Sequence, residues 1–407
     1  MKNKLTIALL ICVLLSHNSR AQTPFTVGHV YNIKSTDYDL ERKINVFTPQ
    51  GYDSTKRDYP VLYVLDGQRW FLQAVSYQRI FHEYSYTPDF IVVGINTEDS
   101  GRYGFFRDTE KLSRLIEKDI VPFIEESFRT TEERFLFGWQ FAGAFALKVL
   151  SNQAELFDAV FVASPIPIDQ NDNWDFSEPR TLLITTSETE NAVNEGVKKF
   201  TDKLQGNSSS LRWIHKVSKL ESISSFGHRT TPLSALYYGL RFYFDDYTLL
   251  EFDHIEDFYS TGGHDYVKEY YVNRGKKYGL PEEVPIEGMF FLLRMGLDEN
   301  DYSSFKKFMS EFIEKGVLAD TNLGWGARYA EFSLQNEDHA LARSIYQTLS
   351  DRFPDNALPI HGLGKVLLAQ NDKKEARRKF ELAVEIAKKS NDRRLAEYQK
   401  DLDAIKR

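Results

Sequence analysis

The sequence alternates short hydrophobic runs with longer segments of helical periodicity between about residues 31 and 243. Such alternation is typical of strands joined by crossover helices. Several runs are almost continuously hydrophobic, as strands buried on both faces of a parallel sheet are. The pattern predicts an α/β fold with a doubly wound, mostly parallel sheet. The predicted strands are Lys43–Phe47, Val61–Leu65, Ile91–Ile95, Arg134–Phe137, Ala159–Ala163 and Thr181–Thr186, and the predicted helices are Lys111–Phe128, Phe141–Ser151, Ala192–Leu204 and Pro232–Phe244.

Beyond about residue 250 the strand pattern ends and helical periodicity takes over. Small residues recur at a 34-residue offset at Gly296, Ala330 and Gly364. This period is typical of tetratricopeptide repeats, in which small residues let paired helices approach closely, and an unrelated helical bundle is the alternative. With 407 residues the chain is long for one core. The predicted organisation is a signal peptide at 1–21, an α/β domain at 22–250, a linker at 251–285 and an all-α tetratricopeptide-like domain at 286–407.

The N-terminus predicts export. Lys2 and Lys4 precede an apolar run from Leu5 to Leu15, and small residues end the segment at Ala21. These are the features of a bacterial signal peptide, and we expect cleavage after Ala21 and a periplasmic or secreted protein. The alternative is an uncleaved anchor, although the run is short for a membrane-spanning helix. No membrane span is expected in the mature chain.

Charge and cysteine content narrow the classes of function. The net charge of −8 becomes −11 when the segment before Gln22 is removed, because that segment carries three basic residues and no acidic one. Such a surface repels nucleic acid, so no nucleic-acid partner is expected. Cys12 is the only cysteine, which excludes disulfides and thiol nucleophiles from the mature chain. The nine histidines show no metal-binding spacing, and no metal or cofactor is predicted.

A strand, a tight turn and a helix are predicted in FLFGWQFAGAFALKVL, which begins at Phe135. This is the context of a nucleophile elbow, whose central residue has a positive φ angle. Gly138, Ala142 and Gly143 supply the small flanks that this strained turn requires. The central residue is Gln140, whose carboxamide has neither a hydroxyl nor a thiol to attack a carbonyl carbon. Acyl-enzyme chemistry at this position is therefore excluded.

Further segments resemble one known family. They are PVLYVLDGQRWF at 60–71, FIVVGINTEDSGRYGFFRD at 90–108, the strand ending in Ser-Pro at Phe161–Pro165, and SFGHRTTPLSALYYGLRFYF at 225–244. With the elbow, they resemble the putative-esterase family of α/β hydrolases, which includes enterochelin esterases and esterase D. The elbow of that family has the form G-x-S-x-G-G, and Gln140 falls on its serine.

The resemblance implies the remaining members of a catalytic triad. His228 would be the general base, and its carboxylate partner would follow the strand at Thr181–Thr186. Glu190 is the first choice for this acid and Glu188 the second, since the chain order of elbow, acid and histidine is the one this fold requires. Without the resemblance, His228 is interpreted as a histidine that caps a helix start before Pro232.

The resemblance also implies an oxyanion hole and a pocket. The backbone N–H groups of Phe141 and of Gln68, in a predicted loop at Gly67–Arg69, would form the hole, because amides need no particular side chain. Trp70, Phe71 and Trp139 are predicted to line the pocket. For Trp70 and Phe71, packing in the core is the alternative.

Three functions remain open on the sequence. The first is an exported esterase-family protein without serine-hydrolase activity that keeps its site for a small ester-like ligand or a partner. The second is an active hydrolase of a siderophore or acylated-sugar ester, which would use water activated by His228 or a displaced hydroxyl. The third is an interaction protein that binds a protein partner through its helical repeats. The candidate hydroxyls are those of Ser164, Ser222, Ser224 and Ser225.

Overall fold

The computed structural model divides the chain into two compact units, residues 1–245 and 246–407. It describes residues 25–37, 41–97, 101–169, 174, 176–207, 210–219 and 227–405. The predicted signal peptide lies outside the described residues. Among the helices that are described, none is long and apolar enough to cross a membrane.

The first unit is built on an eight-stranded sheet with the order β1-β2-β4-β3-β5-β6-β7-β8. Strand β2 is antiparallel to both of its neighbours, and the other pairs are parallel. The predicted α/β class with a mostly parallel sheet is confirmed, in the arrangement of an α/β hydrolase. The strands are β1 His29–Ile33, β2 Arg42–Phe47, β3 Tyr59–Leu65, β4 Ile91–Ile95, β5 Thr130–Trp139, β6 Ala159–Ala163, β7 Arg180–Ser187 and β8 Leu211–Ser218.

Helices connect these strands. Helix α3, Thr109–Arg114, continues through a π-helical turn at Leu115–Ile120 into α4, Val121–Ser127, so the predicted helix at Lys111–Phe128 is three consecutive helical segments. The helices of this unit are α1 Gly67–Glu83, α2 Arg102–Arg107, α3 Thr109–Arg114, α4 Val121–Ser127, α5 Phe141–Asn152, α6 Asn191–Asn207 and α7 Gly227–Tyr243. Short 3₁₀ helices lie at Tyr52–Ser54 and Ala154–Leu156.

Burial explains which elements could be predicted. Every residue of β3, β4 and β6 is buried, and these are the continuous hydrophobic runs of the sequence. Edge strand β8 was missed because polar residues interrupt its hydrophobic pattern and most of the strand is only partly buried. Helix α1 is also absent from the predicted helices, because the segment 67–69 has the pattern of a loop. It starts directly after Asp66, which is in the left-handed conformation.

In the second unit, every regular element among the described residues is a helix. The segment 251–285, predicted as a linker, contains helices α8, Ile255–Ser260, and α9, Gly263–Tyr278. Phe258, Val267 and Tyr271 of these helices are buried in the core of this unit. Among the aromatic residues of this segment, Phe258 and Tyr271 are buried, whereas Tyr259 and Tyr266 are exposed. The helices are α8 Ile255–Ser260, α9 Gly263–Tyr278, α10 Ile286–Asp298, α11 Tyr302–Ile313, α12 Val317–Asp320, α13 Leu323–Gln335, α14 His339–Arg352, α15 Ala357–Ala369, α16 Lys373–Ser390 and α17 Leu395–Ile405.

Tyr63 of β3 permits a test of the sheet core. Its ring is fully buried, and its hydroxyl has no hydrogen-bond partner among the described residues. Burial raises the pKa of this phenol above its ordinary value, so the group stays neutral. We expect Tyr63→Phe to raise the free energy of unfolding by about 1 kcal/mol, because an unsatisfied buried polar group is removed. Urea unfolding followed by tryptophan fluorescence measures this change. A decrease of about 1 kcal/mol or more in the free energy of unfolding would contradict the claim that the Tyr63 hydroxyl has no hydrogen-bond partner.

Candidate active site

The central feature of the site is the sharp turn between β5 and α5. Gln140 stands between Trp139, the last residue of β5, and Phe141, the first residue of α5, with φ 56° and ψ −118°. Its N–H donates to the carbonyl of Ala163 over 2.9 Å, which ties the turn to the end of β6. A non-glycine residue with positive φ is strained, and such residues concentrate at functional sites. The strand, turn and helix predicted for the elbow are thus present in the structure.

Glycines make this turn possible. A Cβ atom at Gly138 would lie 2.4 Å from the carbonyl oxygen of Ala142, and one at Gly143 would lie 3.1 Å from the carbonyl oxygen of Gly138. The first distance is far below van der Waals contact and involves backbone atoms that cannot move aside. The elbow therefore needs glycine at 138 for steric reasons alone.

The predicted acid and base meet beside the turn. His228 Nδ1 forms a hydrogen bond with Glu190 Oε1. The other oxygen of Glu190 accepts from Ser164 Oγ at 2.8 Å and from the amide of Ser187 at 2.7 Å. The carboxylate is almost completely buried and the imidazole is one-third exposed. The structure therefore joins His228 to Glu190, whereas Glu188 is exposed.

The carboxamide of Gln140 contacts His228 on the opposite side of the imidazole ring. Gln140 Nε2 forms a hydrogen bond with His228 Nε2, and Gln140 Oε1 accepts from Arg102 Nη1 at 3.1 Å. A guanidinium only donates, so the oxygen of the amide must face Arg102 and the NH₂ group must face the histidine. Because an amide nitrogen only donates, His228 Nε2 is the acceptor and its proton lies on Nδ1, pointing at Glu190. The basic lone pair of His228 is thus occupied by Gln140.

Arg102 is a functional residue that the sequence did not single out. Its Nε donates to Asp66 Oδ2 at 2.8 Å, and its Nη2 donates to the carbonyl of Trp139 at 2.7 Å. Asp66 is fully buried, and its second oxygen accepts from Thr97 Oγ1 at 2.8 Å. The guanidinium of Arg102 therefore links Asp66, the strained residue before α1, to the elbow. The sequence signal was an arginine a few residues after the V-G-I-N strand, but nothing local indicated its partners.

The predicted oxyanion donors lie at helix starts. Phe141 is the first residue of α5 and Gln68 the second residue of α1, so their N–H groups have no acceptor within their own helices. The segment at Gly67–Arg69 is the first turn of α1 and not a loop. Thr97 holds the side chain of Gln68 by two hydrogen bonds. Gln68 Nε2 donates to Thr97 Oγ1 at 2.7 Å, and Gln68 Oε1 accepts from the backbone N–H of Thr97 at 3.1 Å. Helix N-termini favour developing negative charge.

The three residues predicted to line a pocket differ in position. The ring of Trp139 lies 5.1 Å from the imidazole of His228, and Trp70 packs edge-on against Trp139 at 5.5 Å. Both indoles belong to the wall beside the histidine. Phe71 is buried and sits against Gly28 and Gly94, so the alternative of core packing applies to it instead of the predicted pocket role. Successive side chains of an α-helix point about 100° apart, so Phe71 faces the sheet at Gly28 and Gly94 while its neighbour Trp70 points in another direction.

The candidate replacement nucleophiles are not presented to the site. Ser164 is fully buried, and its hydroxyl is committed to Glu190 and to Thr231 Oγ1 at 2.8 Å. Ser222, Ser224 and Ser225 lie outside the described residues. Within the part of the chain that the structure describes, no cluster of three histidine, cysteine or acidic residues could hold a metal ion.

The sequence model of the putative esterase family matches residues 35–232. This part of the chain belongs to that family. The esterase-family segment includes β2 to β8, the elbow, Glu190 and His228. The resemblance inferred from the sequence is therefore confirmed.

Solved structures match this chain at low sequence identity and with TM-scores below 0.5. An IroE-like serine hydrolase from Shewanella oneidensis is 17% identical, covers 70% of this chain and 98% of its own, and has a TM-score of 0.47. An uncharacterised protein from Capnocytophaga ochracea is 15% identical, covers 91% and 99%, and has a TM-score of 0.48. The siderophore hydrolase EstB from Aspergillus nidulans is 17% identical, covers 56% and 98%, and has a TM-score of 0.44. Similarity at this level carries no information on substrates.

A search among curated proteins finds no match to this chain.

Proposed function

We propose that this esterase-family protein does not perform serine-hydrolase chemistry and keeps its site to bind a small ester-like ligand. The observation that supports this is Gln140, held in the elbow with its carboxamide between His228 and Arg102. An ester carbonyl at the oxyanion amides would meet an NH₂ group that lacks a nucleophilic lone pair. The site can then accept a carbonyl compound without transferring its acyl group.

Direct attack by water is disfavoured by the same contact. A general base must reach the proton that it removes, and the available atom of the triad histidine is Nε2. In this chain Nε2 of His228 accepts from Gln140. A water molecule would need to displace the carboxamide, which Arg102 holds at its oxygen end. The triad remains assembled, but its proton-accepting atom is covered.

The test is turnover of aryl esters with short and medium acyl chains. We expect the purified parent protein to release 4-nitrophenol at the rate of buffer alone. The matched variant His228→Ala reports contamination, since any activity that survives in it does not arise from this site. Turnover by the parent that disappears in His228→Ala would contradict the proposal and favour an active hydrolase of an ester.

We also propose that the protein is exported, with residues 1–21 removed and the mature chain in the periplasm or outside the cell. The support is the sequence alone: two lysines, a short apolar run and a small residue at the predicted cleavage point. The absence of cysteine after Cys12 is compatible with an oxidising compartment.

For the helical unit we propose a tetratricopeptide-like array that binds a protein partner. Helices α13 and α15 begin at residues 323 and 357, and α14 and α16 at 339 and 373, so each pair recurs after 34 residues. Gly364 lies against the ring of Phe380, where a Cβ atom would be 2.5 Å from Cε1. A groove of about 310 Å³ between α10 and α13 has Phe290, Phe291 and Trp325 in its walls. Close helix pairing and an aromatic groove are features of repeat proteins that bind peptides.

A further inference from the structure

A cavity of about 490 Å³ runs along the side of α5, next to the elbow. It is enclosed by α2, by the start of α3, by the first two turns of α5 and by residues 167–169 after β6. Gln140, Glu190 and His228 are not among its lining residues, whereas Phe141, directly after the elbow, is. The volume falls in the range of small-molecule sites. The cavity is thus adjacent to the candidate active site but separate from its polar residues.

The interior of this cavity is aromatic. Phe106 and Phe145 are buried at its base with ring centroids 6.2 Å apart, and Tyr103 packs edge-on against Phe141 at 5.2 Å. Three of these four rings carry no polar atom. A ligand that fills the cavity therefore needs an apolar body, since a polar one would lose its hydrogen bonds to water without replacement.

The rim of the cavity is positively charged. Arg107, Lys148 and Asp169 line it, and Lys148 Nζ lies 3.5 Å from Asp169 Oδ2, so these two charges balance. Arg107 is exposed and has no acidic partner among the described residues. The neighbouring acids are engaged elsewhere. Asp108 accepts from the amide of Lys111, and Glu110 pairs with Arg114.

We propose that this cavity binds a small organic acid, with the apolar body on the aromatic rings and the carboxylate on Arg107. A guanidinium binds a carboxylate through two parallel hydrogen bonds. Arg107 offers such a group without an acidic partner among the described residues, on a protein whose net charge is −8. The inference goes beyond the proposed function, because this cavity is adjacent to the candidate active site and does not include Gln140, Glu190 or His228. An acid is the product side of ester chemistry, so a family member without a nucleophile can bind it without further reaction.

The experiment is calorimetric titration of the full-length protein with octanoate, its neutral analogue octanamide and the cation octyltrimethylammonium. We expect octanoate to bind at least about tenfold more tightly than octanamide, and the cation not to bind. Shortening octanoate to hexanoate weakens binding by up to about fourfold for each methylene removed. Equal affinity for octanoate and octanamide, or no binding of octanoate, would overturn the proposal.

Variants locate the site. Arg107→Gln weakens octanoate about tenfold and leaves octanamide unchanged, whereas Arg79→Gln, at an exposed arginine of α1 outside the cavity, leaves both unchanged. Ala144→Leu fills the cavity and weakens both ligands. Octanoate binding that is insensitive to Arg107→Gln and Ala144→Leu would place the acid elsewhere and overturn the assignment. Aryl-ester turnover on the same samples separates the two claims, because turnover contradicts the proposed function and absent acid binding contradicts only this inference.

Discussion

Gln140→Ser is expected to convert the protein into an esterase, with kcat/KM for aryl esters at least about 10²-fold above the parent protein. The backbone of the elbow already has the strained φ angle, and the His228–Glu190 pair is assembled beside it. The serine hydroxyl would replace the carboxamide next to the Nε2 atom that accepts a proton. The helix-start amides of Phe141 and Gln68 remain to stabilise the oxyanion. Release of 4-nitrophenol under identical conditions measures the gain.

Two further variants decide what the gain means. Gln140→Ala also uncovers His228 but supplies no hydroxyl, so we expect it to remain inactive. Gln140→Ser combined with His228→Ala is expected to lose the acquired activity. If Gln140→Ala gained as much as Gln140→Ser, uncovered His228 would be activating water and the nucleophile would not be the missing part. A folded but inactive Gln140→Ser protein would show that more than the hydroxyl has been lost.

Gly138→Ala is expected to lower the free energy of unfolding by about 3 kcal/mol or more. The added Cβ would lie 2.4 Å from the carbonyl oxygen and 2.5 Å from the carbonyl carbon of Ala142. Both atoms belong to the backbone at the start of α5, so the steric clash can be relieved only if the helix moves away from the sheet. Urea unfolding followed by tryptophan fluorescence reports mainly on the sheet unit, which contains four of the five tryptophans.

The matched control for this substitution is Gly196→Ala in α6. A Cβ atom there meets nothing within 4 Å, and its helical position favours alanine. We expect a gain of up to about 1 kcal/mol. The opposite signs of two identical changes would assign the loss at 138 to the crowded elbow. A Gly138→Ala protein as stable as the parent would contradict the tight turn itself.

Local patterns explain what could be predicted from the sequence. The elbow was found because strand, turn and helix follow one another within 16 residues, and its small flanks are readable directly. Glu190 was found because the chain order of the fold places an acid after β7. The core strands were found because their burial on both faces makes them continuously hydrophobic. For the elbow and the core strands the information lies within one element and its neighbours, whereas Glu190 was implied by the resemblance to the esterase family.

The features that were missed depend on contacts between distant parts of the chain. Arg102 is 36 residues from Asp66 and 38 from Gln140, and only the folded sheet brings these groups together. The position of Phe71 depends on glycines at 28 and 94, which belong to other parts of the sheet unit. Helix α1 was missed because its first turn carries the glycine of a D-G pair, which predicts a loop when the close contact with Gly94 is unknown.

The central claim is that this elbow presents no nucleophile, and labelling with a fluorophosphonate tests it most directly. The reagent phosphonylates an activated serine and adds a defined mass, which intact-protein mass spectrometry detects without any assumption about substrate. We predict no added mass on the parent protein, and one adduct mapped to residue 140 in Gln140→Ser. A stoichiometric adduct on any hydroxyl of the parent protein would contradict the claim.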